Sequence, residues 1–170
     1  MGGPRVQFLH GLEGSPQGAK ARLLGLHFET LAPAMDTSDF EACLRVQREA
    51  IASFRPDLLV GSSFGAALAV ALLARGDFRG PTLLLAQAAL RLDPAARLPE
   101  GVRVWLVHGL RDELIDPEES RRLAATGTPG LVRLLEVDDD HPLRELVASG
   151  RLAELVRALW AQAAPGAPAS

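Results

Sequence analysis

The 170-residue chain has one cysteine, no excess of basic residues and no long apolar run. A single cysteine, Cys43, cannot form an internal disulfide. The 18 Lys+Arg and 21 Asp+Glu residues give a net charge of −3, which disfavours a nucleic-acid partner. No apolar run approaches the roughly 18 to 20 residues needed to cross a bilayer, and the first residues lack the apolar stretch of a signal peptide. We therefore expect a cytoplasmic protein without a membrane span.

Length and composition predict one globular domain. A chain of 170 residues corresponds to about one domain, and 48% hydrophobic residues provide enough apolar material for a core. We expect residues 1–164 to form this domain, with no room for a lid domain. The segment 165–170 is rich in proline and small residues, and we expect it to be a flexible tail.

Short apolar runs alternate with segments of helical spacing along the chain. Short apolar runs are typical of strands covered on both faces of a parallel sheet. They occur at 6–9, 58–60, 82–86, 102–107 and 131–137, the last interrupted by Arg133 and Glu136. Helical spacing occurs at 19–28, 40–54, 64–75, 117–125 and 143–162, and residues 29–32 are a candidate edge strand. This alternation predicts an α/β fold: a doubly wound, mostly parallel sheet of about five to six strands, with helices on both faces.

A G-x-S-x-G pentapeptide, Gly61 to Gly65, lies between a predicted strand and a predicted helix. A serine on such a tight turn is strained, and Gly61 and Gly65 remove side chains that would collide with it. The turn also places Ser63 at a helix N-terminus, which favours a developing negative charge. Ser63 is therefore the candidate nucleophile. The alternative is a glycine-rich turn of a non-catalytic or nucleotide-binding α/β protein.

Two further residues complete a candidate catalytic triad. An activated serine needs a base and an orienting carboxylate, in the chain order Ser, acid, His. Asp112 follows the strand at 102–107 and His141 follows the strand at 131–137. Because the carboxyl ends of parallel strands meet at one sheet edge, both residues are expected near Ser63.

Other residues could take these roles. The rival carboxylates are Glu113, Asp116 and Asp138 to Asp140; we expect Asp116 to cap a helix and the three consecutive aspartates to form a solvated loop. His108 is close enough to Asp112 to be an alternative partner. A metal site formed by Asp138, Asp140 and His141 is conceivable but lacks a second histidine. His27 is expected to be structural, and Cys43 to be a small buried hydrophobic residue.

The loop after the first strand is a candidate oxyanion hole. Its glycines and lysine do not have the spacing of a phosphate-binding loop, and no G-x-G-x-x-G is present. With the loop kept thin by Gly11, the Leu12 backbone N–H can point beside that of Phe64 at a substrate oxygen. We interpret His10 as a structural brace of this loop. An ordinary βα loop is the alternative.

These motifs together resemble the α/β-hydrolase superfamily. They are H-G-x at 10–12, the serine turn at 61–65, H-G-x-x-D at 108–112 and the late His141. The segment H-G-L-E-G-S-P-Q-G-A-K at 10–20 is similar to the small YqiA-like bacterial esterases. The resemblance implies hydrolysis of a small-molecule carboxylic ester or thioester, through an acyl-enzyme and without a cofactor or metal. A non-catalytic binding module on the same fold, or a hydrolase of amide or carbon–carbon bonds, is the alternative.

Overall fold

The computed structural model describes residues 2–12 and 14–164 of the chain, so the expected tail at 165–170 lies outside the described residues. The strands are β1 (Arg5–Leu9), β2 (Glu29–Leu31), β3 (Leu58–Ser62), β4 (Thr82–Leu85), β5 (Val104–Gly109) and β6 (Val132–Val137). The helices are α1 (Ala19–His27), α2 (Phe40–Phe54), α3 (Phe64–Ala74), α4 (Ala89–Leu92), α5 (Pro117–Ala124), α6 (Arg144–Ala148) and α7 (Arg151–Ala163).

All six strands pair in parallel in the order β2-β1-β3-β4-β5-β6. The predicted fold class and the candidate edge strand are therefore confirmed. The chain first moves outward from β1 to β2, then returns to β3 and continues in the opposite direction. Open α/β sheets bind ligands where the winding reverses, at the carboxyl ends of the strands. Here that point lies between β1 and β3, and Ser63 directly follows β3.

The sheet separates two apolar cores because successive strand residues point to opposite faces. In β3, Leu58 and Val60 pack with helices α1, α6 and α7, whereas Leu59 packs with α2, α3, α4 and α5. Cys43 on α2 is buried in the second core, as predicted, and burial raises the pKa of its thiol. In the described part of the chain, no helix has the length and apolarity needed to span a bilayer.

Two elements differ from their predicted form. The helix expected over 143–162 is interrupted between α6 and α7, because Gly150 adopts a left-handed conformation with φ 75°, which ends a right-handed helix. The strand β6 is only partly covered on its two faces: Arg133 and Glu136 are exposed, since β6 is one of the two edge strands of the sheet. Interrupting charges in an apolar run thus indicated an edge strand rather than an interior one.

Candidate active site

Ser63 occupies a strained turn between β3 and α3. Its backbone angles are φ 55° and ψ −113°, a conformation that side-chain-bearing residues seldom adopt. A Cβ atom at Gly61 would lie 2.7 Å from the Gly65 carbonyl oxygen, and one at Gly65 would overlap the Leu9 carbonyl. The Ser63 N–H donates to the Leu85 carbonyl at 2.8 Å, which ties the turn to β4. Both glycines are therefore required sterically, but the clashes that they avoid are with backbone atoms of α3 and of β1 and its following loop, rather than with the serine as the sequence argument expects.

Ser63, His141 and Asp112 form a continuous chain of hydrogen-bond contacts. The His141 Nε2 atom is 3.1 Å from Ser63 Oγ, and His141 Nδ1 is 2.7 Å from Asp112 Oδ2. The Asp112 side chain is fully buried, whereas the His141 side chain is 16% exposed. With Nδ1 donating to the carboxylate, Nε2 is left to accept the Ser63 proton. The three side chains therefore have the arrangement that an acyl-transfer triad requires.

The second oxygen of Asp112 is held by the backbone that follows it. Asp112 Oδ1 accepts from the N–H groups of Leu114 at 2.9 Å and Ile115 at 2.8 Å. These two bonds fix the rotation of the carboxylate, so that Oδ2 points at the imidazole of His141.

A second histidine contacts the same carboxylate. His108, at the end of β5, is fully buried, and its Nε2 is 3.2 Å from Asp112 Oδ2 and 2.9 Å from the Ile115 carbonyl. Its Nδ1 is 2.7 Å from Ser120 Oγ. Asp112 therefore contacts both histidines. Only His141 also contacts Ser63, so His141 is the candidate base.

The tautomer of His108 follows from its neighbours. Gln87 Oε1 accepts from the Ala89 N–H at 2.8 Å, which fixes the amide so that Gln87 Nε2 donates to Ser120 Oγ at 3.0 Å. The Ser120 hydroxyl proton then points to His108 Nδ1, and His108 carries its own proton on Nε2. His108 therefore donates towards Asp112 and the neighbouring carbonyl, and it acts as a support for the carboxylate.

The loop that carries His141 is anchored on both sides. Asp139 is buried and accepts from the N–H groups of Glu145 and Leu146 at 3.2 and 2.9 Å, which caps α6. The Lys20 ammonium on α1 donates to the Pro142 carbonyl at 2.7 Å. Burial lowers the pKa of Lys20, while the neighbouring aspartates oppose this shift. The expectation of a solvated triple-aspartate loop is therefore wrong for Asp139.

The loop after β1 lies against the serine turn. A Cβ atom at Gly11 would be 3.2 Å from the Ser62 carbonyl oxygen, a tight contact, so the loop packs closely against the turn. Among the described residues, neither the Leu12 N–H nor the Phe64 N–H has a hydrogen-bond acceptor, and Phe64 is the first residue of α3. His10 is buried and its Nδ1 lies 2.8 Å from the Gly11 carbonyl, a contact consistent with a brace.

The rival carboxylates have other partners or none in the site. Asp116 caps α5 through the Glu118 N–H, as predicted, and Asp138 pairs with Arg111 at 2.7 Å on the surface. Glu113 is exposed.

The remaining candidates of the sequence analysis are His27 and a metal site. His27 ends α1 and contacts Arg157 at the surface. Within 2–12 and 14–164, no group of three or more histidine, cysteine or acidic side chains is arranged to hold a metal.

Sequence reasoning missed three residues that support this site. Gln87 and Ser120 orient His108, and Lys20 anchors the loop of His141. Their partners are distant in sequence: Ser120 lies 12 residues from His108, Gln87 lies 33 residues from Ser120, and Lys20 lies 122 residues from Pro142. The one local hint is Gln87, a polar residue that directly follows the apolar run at 82–86.

Comparisons with known proteins agree with this architecture. No family model matches the sequence, and no curated protein matches it. A Xanthomonas campestris pv. campestris protein assigned to the α/β superfamily of hydrolases is 25% identical, with a TM-score of 0.75 over 94% of this chain and 100% of that one. Est1E of Butyrivibrio proteoclasticus is 16% identical, with a TM-score of 0.70 over 92% of this chain and 86% of that one.

The esterase domain of a Rhodothermus marinus protein is 16% identical, with a TM-score of 0.69 over 94% of this chain and 86% of that one. All three similarities extend over nearly the whole chain, and they include the sheet on whose edge Ser63 lies. The resemblance predicted from the motifs is thereby confirmed at the level of the superfamily. The chain has the fold of the α/β-hydrolase superfamily.

Proposed function

We propose that this protein is a serine hydrolase that cleaves carboxylic esters or thioesters of small molecules. The continuous contact from Ser63 Oγ through the His141 imidazole to Asp112 Oδ2 carries this function. It coincides with backbone strain at the serine itself, which is the kind of strain found at functional sites. A non-catalytic binding module has no need for a strained serine with an aligned base.

The reaction proceeds through an acyl-enzyme. Ser63 Oγ attacks the acyl carbon while His141 Nε2 takes its proton, and the leaving alcohol or thiol departs with that proton. A water molecule then attacks the acyl-enzyme, giving a proton to His141 that returns to Ser63 as the acid is released. Asp112 holds the imidazole in the required tautomer and stabilises its charged form.

Two backbone donors suit the oxyanion of each tetrahedral intermediate. The N–H groups of Leu12 and Phe64 lack acceptors among the described residues and flank the serine turn. The positive end of the α3 dipole adds to their effect. One such donor contributes about a hundred- to a thousandfold in rate.

The similar solved structures support hydrolase activity, since two of the three belong to proteins described as a hydrolase or an esterase. The resemblance of residues 10–20 to the small YqiA-like esterases favours an ester or thioester over an amide or a carbon–carbon bond. No step in this chemistry calls for a cofactor.

The test combines covalent labelling with turnover. We expect a fluorophosphonate to add once to the native protein, by intact mass, and to leave Ser63→Ala unlabelled, with slow labelling of His141→Ala. Hydrolysis of p-nitrophenyl acetate should fall by about a thousandfold or more in each variant, because triad members act as a unit.

The neighbouring serine supplies a matched control. Ser62 lies one residue earlier, at the end of β3, and has no role in the proton transfer. Ser62→Ala should therefore keep both labelling and turnover. Ester hydrolysis that survives Ser63→Ala, or a folded native protein that never labels, would exclude the proposed function.

A further inference from the structure

An apolar groove begins beside the proposed nucleophile and runs along the outer face of α3. Its volume is about 730 Å³, within the range of small-molecule sites. The mouth is lined by Leu12 and Phe64, the two residues whose N–H groups flank Ser63. The groove is thus continuous with the reacting centre, and a bound substrate can occupy both at once.

Alanines on α3 create the space in the groove. Ala67, Ala71 and Ala74 line it together with Phe64, and their spacing of three or four residues places them on one face of the helix. Larger side chains there would meet the opposite walls, formed by the start of α2 and by α4 with the loop after it. From Phe64 to Ala74 the helix rises ~15 Å at 1.5 Å per residue. The groove therefore accommodates a long, narrow, apolar group.

The two ends of the groove differ in character. Leu12, at the mouth, is 61% exposed, so the mouth has an apolar edge. The far end is lined by Arg75, which is paired with Glu41 at 2.9 Å, and by the exposed Arg97. Between the two ends the lining is mainly apolar, with Thr37, Ser38 and Asp93 as its other polar residues. An unbranched hydrocarbon chain fits that profile.

The position of His141 determines which side of the substrate, the acyl group or the leaving group, occupies the groove. His141 must protonate the leaving group, and it lies on the loop after β6, outside the lining of the groove. The leaving group therefore departs on the His141 side. The acyl side of the reacting carbonyl is left to extend past Phe64 into the groove.

We propose that the groove binds the unbranched acyl chain of the substrate, which extends from Ser63 along α3 towards Arg75. The substrate class is then a medium- to long-chain acyl ester or thioester. This inference rests on the proposed serine hydrolase function. Each methylene that enters the groove should raise kcat/KM by about two- to fourfold, since burial of one methylene contributes ~0.8 kcal/mol at most.

Two variants at different depths test the direction of the chain. The assay measures kcat/KM for p-nitrophenyl esters of straight acyl chains from two to twelve carbons. In the native protein we expect a rise with chain length and then a plateau. Ala71→Phe, midway along the groove, should end the rise at a shorter chain than Ala74→Phe, and Ala74→Phe at a shorter chain than the native protein.

In both variants turnover of the two-carbon ester should fall far less than turnover of the long esters, because an acetyl group does not reach either position. The matched control is Ala161→Phe, an equally large change at an exposed position of α7 outside the groove. It should have the native chain-length profile. Ala74 is exposed, so Ala74→Phe keeps the test available if Ala71→Phe fails to fold.

Identical chain-length profiles in all four proteins, or a loss that is equal for short and long esters, would overturn the groove assignment while leaving the hydrolase function intact. A native protein that cleaves none of the esters would instead overturn the proposed function. In that case calorimetric binding of decanoic acid decides the groove: binding weakened about tenfold or more by Ala71→Phe or Ala74→Phe supports it, and equal binding refutes it.

Discussion

Replacement of Asp112 by asparagine changes one atom at the centre of the polar network. The N–H groups of Leu114 and Ile115 hold Oδ1 at 2.9 and 2.8 Å, so the amide oxygen of the variant must take that place. The amide nitrogen is then forced to face His141 Nδ1 and His108 Nε2, where the native protein has an acceptor.

The expected loss of kcat follows from the position of the proton on the His141 imidazole. An amide N–H that points at His141 Nδ1 selects the tautomer with the proton on Nε2, and that nitrogen can no longer accept the Ser63 proton. The charged imidazole also loses its counter-charge. We expect kcat for a short ester to fall by about a thousand- to ten-thousandfold, which corresponds to ~4 to 5.5 kcal/mol of transition-state stabilisation.

The assay compares Asp112→Asn with Asp116→Asn, the same change four residues later. Asp116 caps α5, and asparagine caps a helix about as well as aspartate, so this control should keep native turnover and a native urea midpoint. Circular dichroism checks that both variants are folded. A folded Asp112→Asn protein that keeps more than a tenth of the native kcat would refute the role of Asp112 in holding the imidazole.

Three further outcomes are expected. His108→Leu removes a donor to the carboxylate and leaves the Ser120 hydroxyl without its acceptor; we expect unfolding free energy, measured in urea, to fall by about 1 to 3 kcal/mol, together with a lower kcat. Lys20→Met removes the anchor of the Pro142 carbonyl, and we expect kcat to fall by about tenfold because the base is less well positioned; unchanged kcat would contradict this. Asp39→Ala removes the cap of α2 and should cost about 1 kcal/mol in the same urea experiment, whereas Asp39→Asn should not.

Local sequence patterns predict most of the fold. Unbroken apolar runs locate the strands, and helical spacing locates α2 at residues 40–54 in both the sequence and the structure. The predictions are wrong where packing between distant segments determines the local structure. The break at Gly150 depends on how the end of α6 packs, and the exposure of Arg133 on β6 depends on the strand being outermost.

In the candidate site, too, some residues are identified by a local pattern and others only by contacts between distant loops. A single pentapeptide identifies Ser63, because strand, turn and helix are contiguous in sequence. The choice of Asp112 over its acidic neighbours depends instead on contacts between loops that are 29 residues apart for Asp112 and His141, and 78 for His141 and Ser63. Sequence order indicates that these residues share one sheet edge; only the register of the sheet fixes which atoms meet.

By itself, then, the sequence determined the alternation of strands and helices, the strained serine turn and the order of the site residues. These depend on steric limits and apolar periodicity within a few neighbouring residues. The tertiary structure alone decided that His108 shares the carboxylate with His141, that Asp139 is buried as a cap, and that a groove runs along α3. Such features arise from packing between distant segments, and no local pattern of residues specifies the distance between them.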